Sequence, residues 1–172
     1  HAKEILKHDA RVSIVQDSFA NIEAIAQAQG VSKQVSGVLL DLGVSSPQID
    51  TADRGFSFMH EGPLDMRMNQ TQDFDAAQFV NQMPPREMAV IFKTYGEERY
   101  ARRIAAAIVR KREDHGPINT TTELAHIVKE AHPAWEKHKH PATRVFQAIR
   151  IYVNQELDDL TKGLNGSVEV LA

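Results

Sequence analysis

The chain has 172 residues, 42% of them apolar and 25% charged, an ordinary composition for a globular protein with enough chain to bury a core. No apolar stretch is long enough to span a bilayer and no secretory leader opens the chain, so we expect no membrane partner. The absence of cysteine excludes disulfides and thiolate metal sites, and it makes a cytoplasmic location the default expectation.

The formal net charge of −3 hides an uneven distribution along the chain. Between Arg99 and Arg150 there are 11 Lys or Arg against 5 Asp or Glu, whereas the remainder carries 9 against 18. A basic segment inside an acidic protein supplies the electrostatic attraction that binds nucleic-acid phosphates. The alternative is a pair of solvated helix faces without a partner.

The N-terminal part of the chain has the pattern of a βαβ unit. We predict a short strand over 11–16 and a second strand over 35–42, joined by a right-handed crossover that makes them parallel. Ser18 is placed to cap the intervening helix, which buries Phe19 and ends at Gly30.

Two features indicate a fragment of a larger α/β protein. Two parallel strands do not form a sheet covered on both faces, because such sheets need several more strands. No Gly-x-Gly loop precedes Arg11, and the chain stops near Ala172, where another strand or turn is due.

The pattern from about 50 to 140 is helical. Segments 89–95 and 99–112 carry apolar residues at helical spacing. The run from Thr120 to Glu123 is a capping-box signature that begins another helix. The residues expected on the buried face of that helix are Leu124, Ile127, Val128 and Ala131. A long helix over 143–172 is predicted to follow His140.

A candidate site lies where the second predicted strand ends. The apolar run 38–40 meets the carboxylate of Asp41 and opens into a Gly-Val-Ser-Ser-Pro turn. In open α/β sheets, ligands bind beyond the carboxyl ends of the strands, where Asp41, Ser45 and Ser46 would stand. Pro47 departs from the Gly-x-Ser-x-Gly pattern of a hydrolase nucleophile, which disfavours an acyl-transfer serine. The alternative is a Ser-Pro turn with Asp41 as a cap.

A polar stripe runs along the helix that follows His140. Its members, at i, i+4, i+7 and i+11, are Thr143, Gln147, Arg150 and Asn154. Aligned beside an apolar stripe, they suit contacts to phosphates or bases. The residues of that apolar stripe are Phe146, Ile149, Val153, Leu157, Leu160 and Leu164. The alternative is that Arg150 and Asn154 tie the helix to its neighbours.

Five motifs, with one further residue, recur in a characteristic order and spacing. They are 41–48, 53–58, 62–68, 95–99 and 140–150, followed by Asn154. Together they closely resemble the MraW family, bacterial enzymes that use S-adenosylmethionine to methylate the exocyclic N4 amine of a cytosine in small-subunit ribosomal RNA. The resemblance covers essentially the whole chain.

The resemblance implies an α/β fold. It is a partial Rossmann-like class I methyltransferase domain with few parallel strands and a large all-helical insertion, helix-dominated overall. Residues 1–49 would belong to the methyltransferase domain, 50–142 to the insertion that recognises RNA, and 143–172 to a long helix returning to the first domain. Compared with the family, the glycine-rich cofactor loop and the closing strands are missing.

The resemblance also implies residue roles. Phe19 matches a position that packs against the adenine of S-adenosylmethionine, although plain core is the alternative. Asp41 matches a carboxylate near the amino-acid or methyl end of the cofactor, and Gln48 matches a further cofactor contact. The expected catalytic residues are Asp41, Ser45 and Ser46.

Recognition of the cytosine is where the sequence departs from related enzymes. Amino methyltransferases usually present Asp/Ser-Pro-Pro-Tyr to the target amine, whereas this chain has Ser45-Ser-Pro-Gln48, without the aromatic residue. We expect Phe56 or Phe58 to stack on the base instead. The expected RNA-binding residues are Phe56, Phe58, Lys139, His140, Arg144, Gln147, Arg150 and Asn154. No metal site is expected, because two histidines, at 138 and 140, are a weak signal.

Two other classes of protein compete with this interpretation. One is a non-catalytic RNA-binding or ribosome-assembly module derived from a methyltransferase fold, and the other is a nucleotide-binding domain of a different transferase. We expect the fragment alone to be inactive and to bind S-adenosylmethionine weakly. The oligomeric state stays open, a homodimer included.

Overall fold

The computed structural model describes residues 9–134 and 140–172. Their contacts form two compact units, residues 9–41 with 156–172 (the smaller unit) and residues 42–134 with 140–155 (the larger unit). The helices are α1 (Ile22–Ala28), α2 (Ser46–Asp50), α3 (Ala76–Gln82), α4 (Pro85–Gly96), α5 (Ala101–His115), α6 (Thr121–Ala131), α7 (Ala142–Val153) and α8 (Glu156–Val170). The helix-dominated architecture is confirmed. These compact units do not coincide with the segments 1–49, 50–142 and 143–172, whose functional assignment stays a prediction.

In the smaller unit, Ser18 caps a short 3-10 helix (Phe19–Asn21) that leads into α1, and the helical segment ends at Gly30 as the sequence predicted. The Oγ of Ser18 accepts a hydrogen bond from the Ala20 amide at 3.2 Å, and Gly30 leaves the helix with φ +69°. The half-buried ring of Phe19 packs against α8 at Gly163, where a Cβ would stand 2.6 Å from the ring. Glycine at that position therefore permits the close approach.

The two predicted strands are wrong for the described residues. Neither 11–16 nor 35–42 is a strand, and the only pairing in the smaller unit is an isolated parallel bridge between Val35 and Leu171. A strand is stabilised by a neighbour that pairs its N–H and C=O groups, and one bridge does not supply a ladder. The βαβ unit and the Rossmann-like sheet are consequently not seen here. Near the C-terminus, where a strand or turn was expected, α8 continues to Val170 and only Leu171 pairs, in the bridge with Val35.

The larger unit is a helical core. Helix α4 packs against α5 and α7, while α6 packs against the same two helices. The largest buried apolar side chains come from several helices and from the loops that precede α3 and α6: Leu64, Met66, Phe79, Met88, Phe92, Ile104, Ile108, Ile118, Leu124 and Ile149. Burying one such side chain contributes about 1.5–3 kcal/mol to the free energy of folding. Because Leu64 and Met66 are part of this core, the loop that carries them is held in place.

Helix α6 begins as its capping signature predicted. The Oγ1 of Thr120 accepts a hydrogen bond from the Glu123 amide at 3.2 Å. The Glu123 carboxylate accepts from the Asn119 amide at 3.3 Å rather than from Thr120. Its predicted apolar face is buried.

The single helix predicted over 143–172 is wrong, because the structure divides it. Helix α7 ends at Val153 and α8 begins at Glu156. Gln155 turns the chain with φ +51°, a conformation that no helix continues through. The apolar stripe predicted along the whole helix ends with it, since Leu157 and Leu164 are about half exposed.

Candidate functional site

The loop 41–48 is ordered around the start of α2. Gln48 Oε1 accepts hydrogen bonds from the backbone N of Ser45 at 2.8 Å and from its Oγ at 2.9 Å. These bonds satisfy groups at the helix start. The cap is thus formed by Ser45 and Gln48, and not by Asp41 as the alternative interpretation expected. In the part of the chain that the structure describes, the exposed carboxylate of Asp41 forms no hydrogen bond or ion pair. Asp41 therefore remains available as an acceptor, and the catalytic roles of Asp41, Ser45 and Ser46 stay predictions.

A second region brings together the motifs 53–58 and 62–68, in which the sequence analysis gave a role only to Phe56 and Phe58. Arg54 donates from Nη2 to the carbonyl of Arg67 at 2.8 Å, and the Met66 amide donates to the carbonyl of Arg54 at 3.0 Å. Gly55 turns with φ +71°, and a Cβ there would lie 2.3 Å from the Pro63 carbonyl oxygen. Only glycine combines this conformation with this contact. The segments 53–58 and 62–68 are therefore locked together through backbone atoms.

An ion pair stiffens the second of these segments. Asp65 Oδ2 lies 2.8 Å from Arg67 Nη2, and Arg67 Nη1 donates to the carbonyl of Gln72 at 2.6 Å. Burial alone would raise the pKa of Asp65, but hydrogen bonds from the side chain and backbone of Arg67, with the charges of Arg67 and Arg54, lower it below its usual value of 3.8. The carboxylate is thereby held ionised in a largely buried setting.

Asn154 closes this region from the end of α7. Its Oδ1 accepts from the Met68 amide at 2.6 Å, and its Nδ2 donates to the carbonyl of Met66 at 2.7 Å. Met66 is fully buried and has φ +58°, a conformation that costs a non-glycine residue about 1–3 kcal/mol unless its surroundings impose it. Asn154 is placed as the alternative interpretation expected, tying α7 to its neighbours, and its role in RNA binding stays a prediction.

An aromatic cluster lies beside the start of α7. The ring of Phe58 is 4.6 Å from that of His140 and 4.8 Å from that of Phe146. His140 Nδ1 accepts from the Ala142 amide at 3.1 Å, and burial, with the charge of Lys129, lowers the pKa of His140 below 6.5. The structure thus brings together two predicted RNA-binding residues, and it favours a neutral imidazole beside the phenyl ring. Phe56 lies elsewhere, its ring 5.6 Å from the Arg54 guanidinium.

The other predicted RNA-binding residues lie along α7. Gln147 is exposed and donates to the Tyr95 carbonyl at 3.4 Å. Arg144 and Arg150 are half-buried, and each interacts with other groups of the chain. Lys139 lies outside the described residues. Their contacts to RNA stay predictions.

Two buried polar residues escaped the sequence analysis. Glu98 is 1% exposed, accepts from the Tyr100 amide at 2.7 Å, and has Oε1 3.6 Å from His132 Nε2. The other oxygen of Glu98 and Nδ1 of His132 are buried and have no hydrogen-bond partner among the residues that the structure describes. The sequence analysis identified the motif 95–99 but assigned no role to the carboxylate of Glu98. Its only local signal is a second Glu after a helix end, and the pairing with a histidine 34 positions later is not local.

Within residues 9–134 and 140–172, no helix is both long and apolar enough to cross a lipid bilayer. Over the same ranges, no three His, Asp or Glu side chains are grouped so that they could hold a metal ion.

Comparison with known proteins gives a consistent result. The model of the MraW methylase family matches residues 1–172. The chain is 59% identical over 171 residues to the ribosomal RNA small subunit methyltransferase H of Legionella pneumophila strain Corby, covering 99% of this chain and 55% of that protein. Its namesake in Marinomonas sp. strain MWYL1 is 55% identical over 172 residues, with 99% and 54% covered. The namesake in Chromohalobacter salexigens is 56% identical over 164 residues, with 95% and 49% covered.

The chain spans about half the length of the curated relatives that it matches. The family model nevertheless covers every position of the chain, including the locked segments 53–58 and 62–68. The chain belongs to the MraW methylase family.

Proposed function

We propose that this chain forms part of an enzyme that transfers a methyl group from S-adenosylmethionine to the N4 amine of a cytosine in small-subunit ribosomal RNA. The observation that carries the proposal is the match of the family model to residues 1–172. The relatives named ribosomal RNA small subunit methyltransferase H, at 55–59% identity, support the RNA substrate.

The residues assigned to the cofactor fit its chemistry to different degrees. The unpartnered carboxylate of Asp41 is a suitable acceptor for an ammonium or a hydroxyl group. The half-buried ring of Phe19 is a suitable face for a planar base. Gln48 fits less well as placed, because its amide oxygen already accepts two hydrogen bonds from Ser45. Two of the three residues thus support the assignment. When bound, S-adenosylmethionine supplies the methyl group on a sulfonium.

The task of the chain is then to position the amine. The lone pair of a cytosine amine is delocalised into the ring, so the amine is a weak nucleophile unless its geometry changes. We assign Ser45 and Ser46 to hydrogen bonds with this amine. The Ser45 hydroxyl donates to Gln48, and its oxygen can still accept from an amine N–H. Positioning of this kind supplies much of the acceleration in a direct in-line transfer, and no covalent enzyme intermediate is needed.

The target base must be unstacked before it can react. We assign the stacking role to Phe58, which has His140 and Phe146 around it. Phe56 is the second choice, because its ring is already beside a guanidinium. The polar residues of α7 (Arg144, Gln147, Arg150 and Asn154), together with Lys139 and His140, would hold the backbone of the same strand.

The test incubates the whole protein with small ribosomal subunits and S-adenosylmethionine carrying a labelled methyl group. Mass spectrometry of digested RNA then identifies the modified nucleoside. We expect the label on N4 of one cytosine. Label on another atom would contradict the proposed specificity, and RNA binding without transfer would support a non-catalytic binding module instead.

A further inference from the structure

A groove of about 1400 Å³ lies on the larger unit, between α4 and the beginning of α5. Cationic side chains from α4, α5 and the connection between them line it: Arg86, Lys93, Arg99, Arg102 and Arg103. All five residues are exposed. Arg99, Arg102 and Arg103 belong to the basic segment that the sequence analysis associated with phosphates, but none of the five was named as a site residue. None belongs to the polar stripe of α7.

The cations are placed by helix geometry. Arg86 and Lys93 are seven residues apart on α4, so they share a face and are about 10 Å apart along the axis. Arg102 and Arg103 stand in the first turn of α5, across the groove.

Among the described residues, most cations of the groove have no counter-charge in contact. Within residues 9–134 and 140–172, none of the cations at 86, 93, 102 and 103 forms a salt bridge or a side-chain hydrogen bond. Two carboxylates also line the groove, but Glu98 is buried beneath it and is engaged by the Tyr100 amide. Glu97 is the one exposed carboxylate among the lining residues. Like charges held together without counter-charges favour a polyanionic partner.

The floor of the groove adds apolar surface. Val90 is 62% exposed, and the half-buried ring of Tyr100 lies 5.7 Å from the Arg99 guanidinium. A groove that combines cations with an aromatic residue suits single-stranded nucleic acid, where the backbone follows the charges and bases or riboses cover the apolar atoms.

We infer that the α4–α5 groove binds the sugar-phosphate backbone of single-stranded RNA, as a contact surface additional to α7. The inference rests on the proposed function for the identity of its partner. Glu98 serves here as a positioning residue, since its buried carboxylate holds the connection that carries Arg99 and Tyr100. The competing interpretation is a solvated pair of helix ends that no partner contacts.

The test measures the affinity of the chain for a short, fluorescein-labelled single-stranded RNA by anisotropy, over a series of salt concentrations. The groove variant is Arg102→Gln with Arg103→Gln. The matched control is Arg110→Gln with Lys162→Gln, which removes two exposed cations that do not line the groove. Both double variants change the net charge equally, so long-range attraction is matched.

We expect the groove variant to bind several-fold more weakly, with a log–log salt slope shallower by about 1.4, at roughly 0.7 per phosphate contact with a single strand. The control should keep the slope of the unaltered chain. Equal slopes and affinities for the two double variants would overturn the inference. Displacement of the RNA by polyglutamate at equal charge concentration would also overturn it, since the groove would then accept any acidic polymer.

The outcome separates this inference from the proposed function. If the groove variant binds RNA normally while the whole protein still methylates its RNA, only the groove inference fails. If the unaltered chain shows no saturable RNA binding, the groove inference fails as well, whereas methyl transfer by the whole protein decides the proposed function. Thermal melting of both variants checks that each retains its fold.

Discussion

Asp41 and Gln48 differ in what their side chains are free to do. Gln48 accepts two hydrogen bonds from Ser45 and stabilises the start of α2, whereas the Asp41 carboxylate is exposed and unpartnered among the described residues. An acidic side chain without a structural partner contributes little to stability. Its presence in a family motif is more simply explained by contact with a ligand.

The first prediction concerns Asp41. In the whole protein, Asp41→Ala should lower methyl transfer by at least about 100-fold, the order of loss expected when reacting groups are mispositioned. RNA affinity should be unchanged, because the basic residues are left intact. Transfer is measured with a labelled methyl group and RNA binding by anisotropy. Asp50→Ala, the loss of another exposed carboxylate, serves as the control. Near-normal turnover of the Asp41 variant would show that the site is misplaced.

The second prediction concerns the buried ion pair. Asp65→Asn should lower the free energy of unfolding by about 1–3 kcal/mol at neutral pH. The amide nitrogen cannot accept from Arg67 in place of a carboxylate oxygen, and the hydrogen bond that remains loses the carboxylate charge. The folded pKa of Asp65 lies below its usual 3.8, so this stabilisation is present above pH 3.8 and is lost as the pH falls through the folded pKa.

Urea unfolding of the unaltered chain and the variant, at neutral pH and at several pH values below 3.8, measures this difference. The gap between the two proteins should narrow as the pH falls. A gap that does not depend on pH would mean that the pair stabilises through packing rather than charge.

At the scale of elements, helix starts were predictable and strands were not. A cap such as Thr120 or Ser18 acts within three residues, so its pattern is readable from neighbouring positions. Strands depend on partners remote in sequence, and the segment 35–42 finds only the bridge at Leu171. The candidate site follows the same rule. The carbonyl acceptors of Arg54 lie 13 and 14 positions away, and no local pattern reports them.

The third prediction tests the polar stripe of α7. If Arg144 and Arg150 contact phosphates, the double change to Gln should weaken binding of single-stranded RNA and flatten the salt slope by roughly 0.7 per lost contact. Both side chains also interact within the chain, so the same variant reports on stability. Thermal melting is therefore measured on the same samples.

The two outcomes for α7 are opposite. Retained melting temperature with a flatter slope indicates RNA contacts. Melting several degrees lower with an unchanged slope means that these residues tie α7 to its neighbours, as Asn154 does. The double change of Arg110 and Lys162 to Gln again serves as the charge-matched control.

At the scale of the whole molecule, the larger unit contains most of the buried core. The smaller unit carries Phe19 and Asp41, and many of its apolar residues are exposed, including Leu39 at 95%. The resemblance assigns three cofactor residues to the chain. Three residues give the cofactor few contacts to offset the translational and rotational entropy that it loses on binding.

The fourth prediction follows for the 172-residue chain. Calorimetric titration with S-adenosylmethionine should show no saturable heat in the micromolar range. The same titration with the whole protein is the control and should give binding. Micromolar affinity for the 172-residue chain alone would contradict the prediction and would mean that Phe19, Asp41 and Gln48 nearly suffice.

Asn154 offers residues 66–68 the donor and acceptor that an adjacent strand would offer, on a side chain instead of a backbone. Unlike a backbone peptide group, the side-chain amide of an asparagine can be slowly deamidated to a carboxylate. The oxygen gained would face the Met66 carbonyl oxygen, so a hydrogen bond would be replaced by repulsion. The left-handed turn at Met66 would lose its clamp. Deamidation of Asn154 would therefore weaken the contact between the end of α7 and residues 66–68.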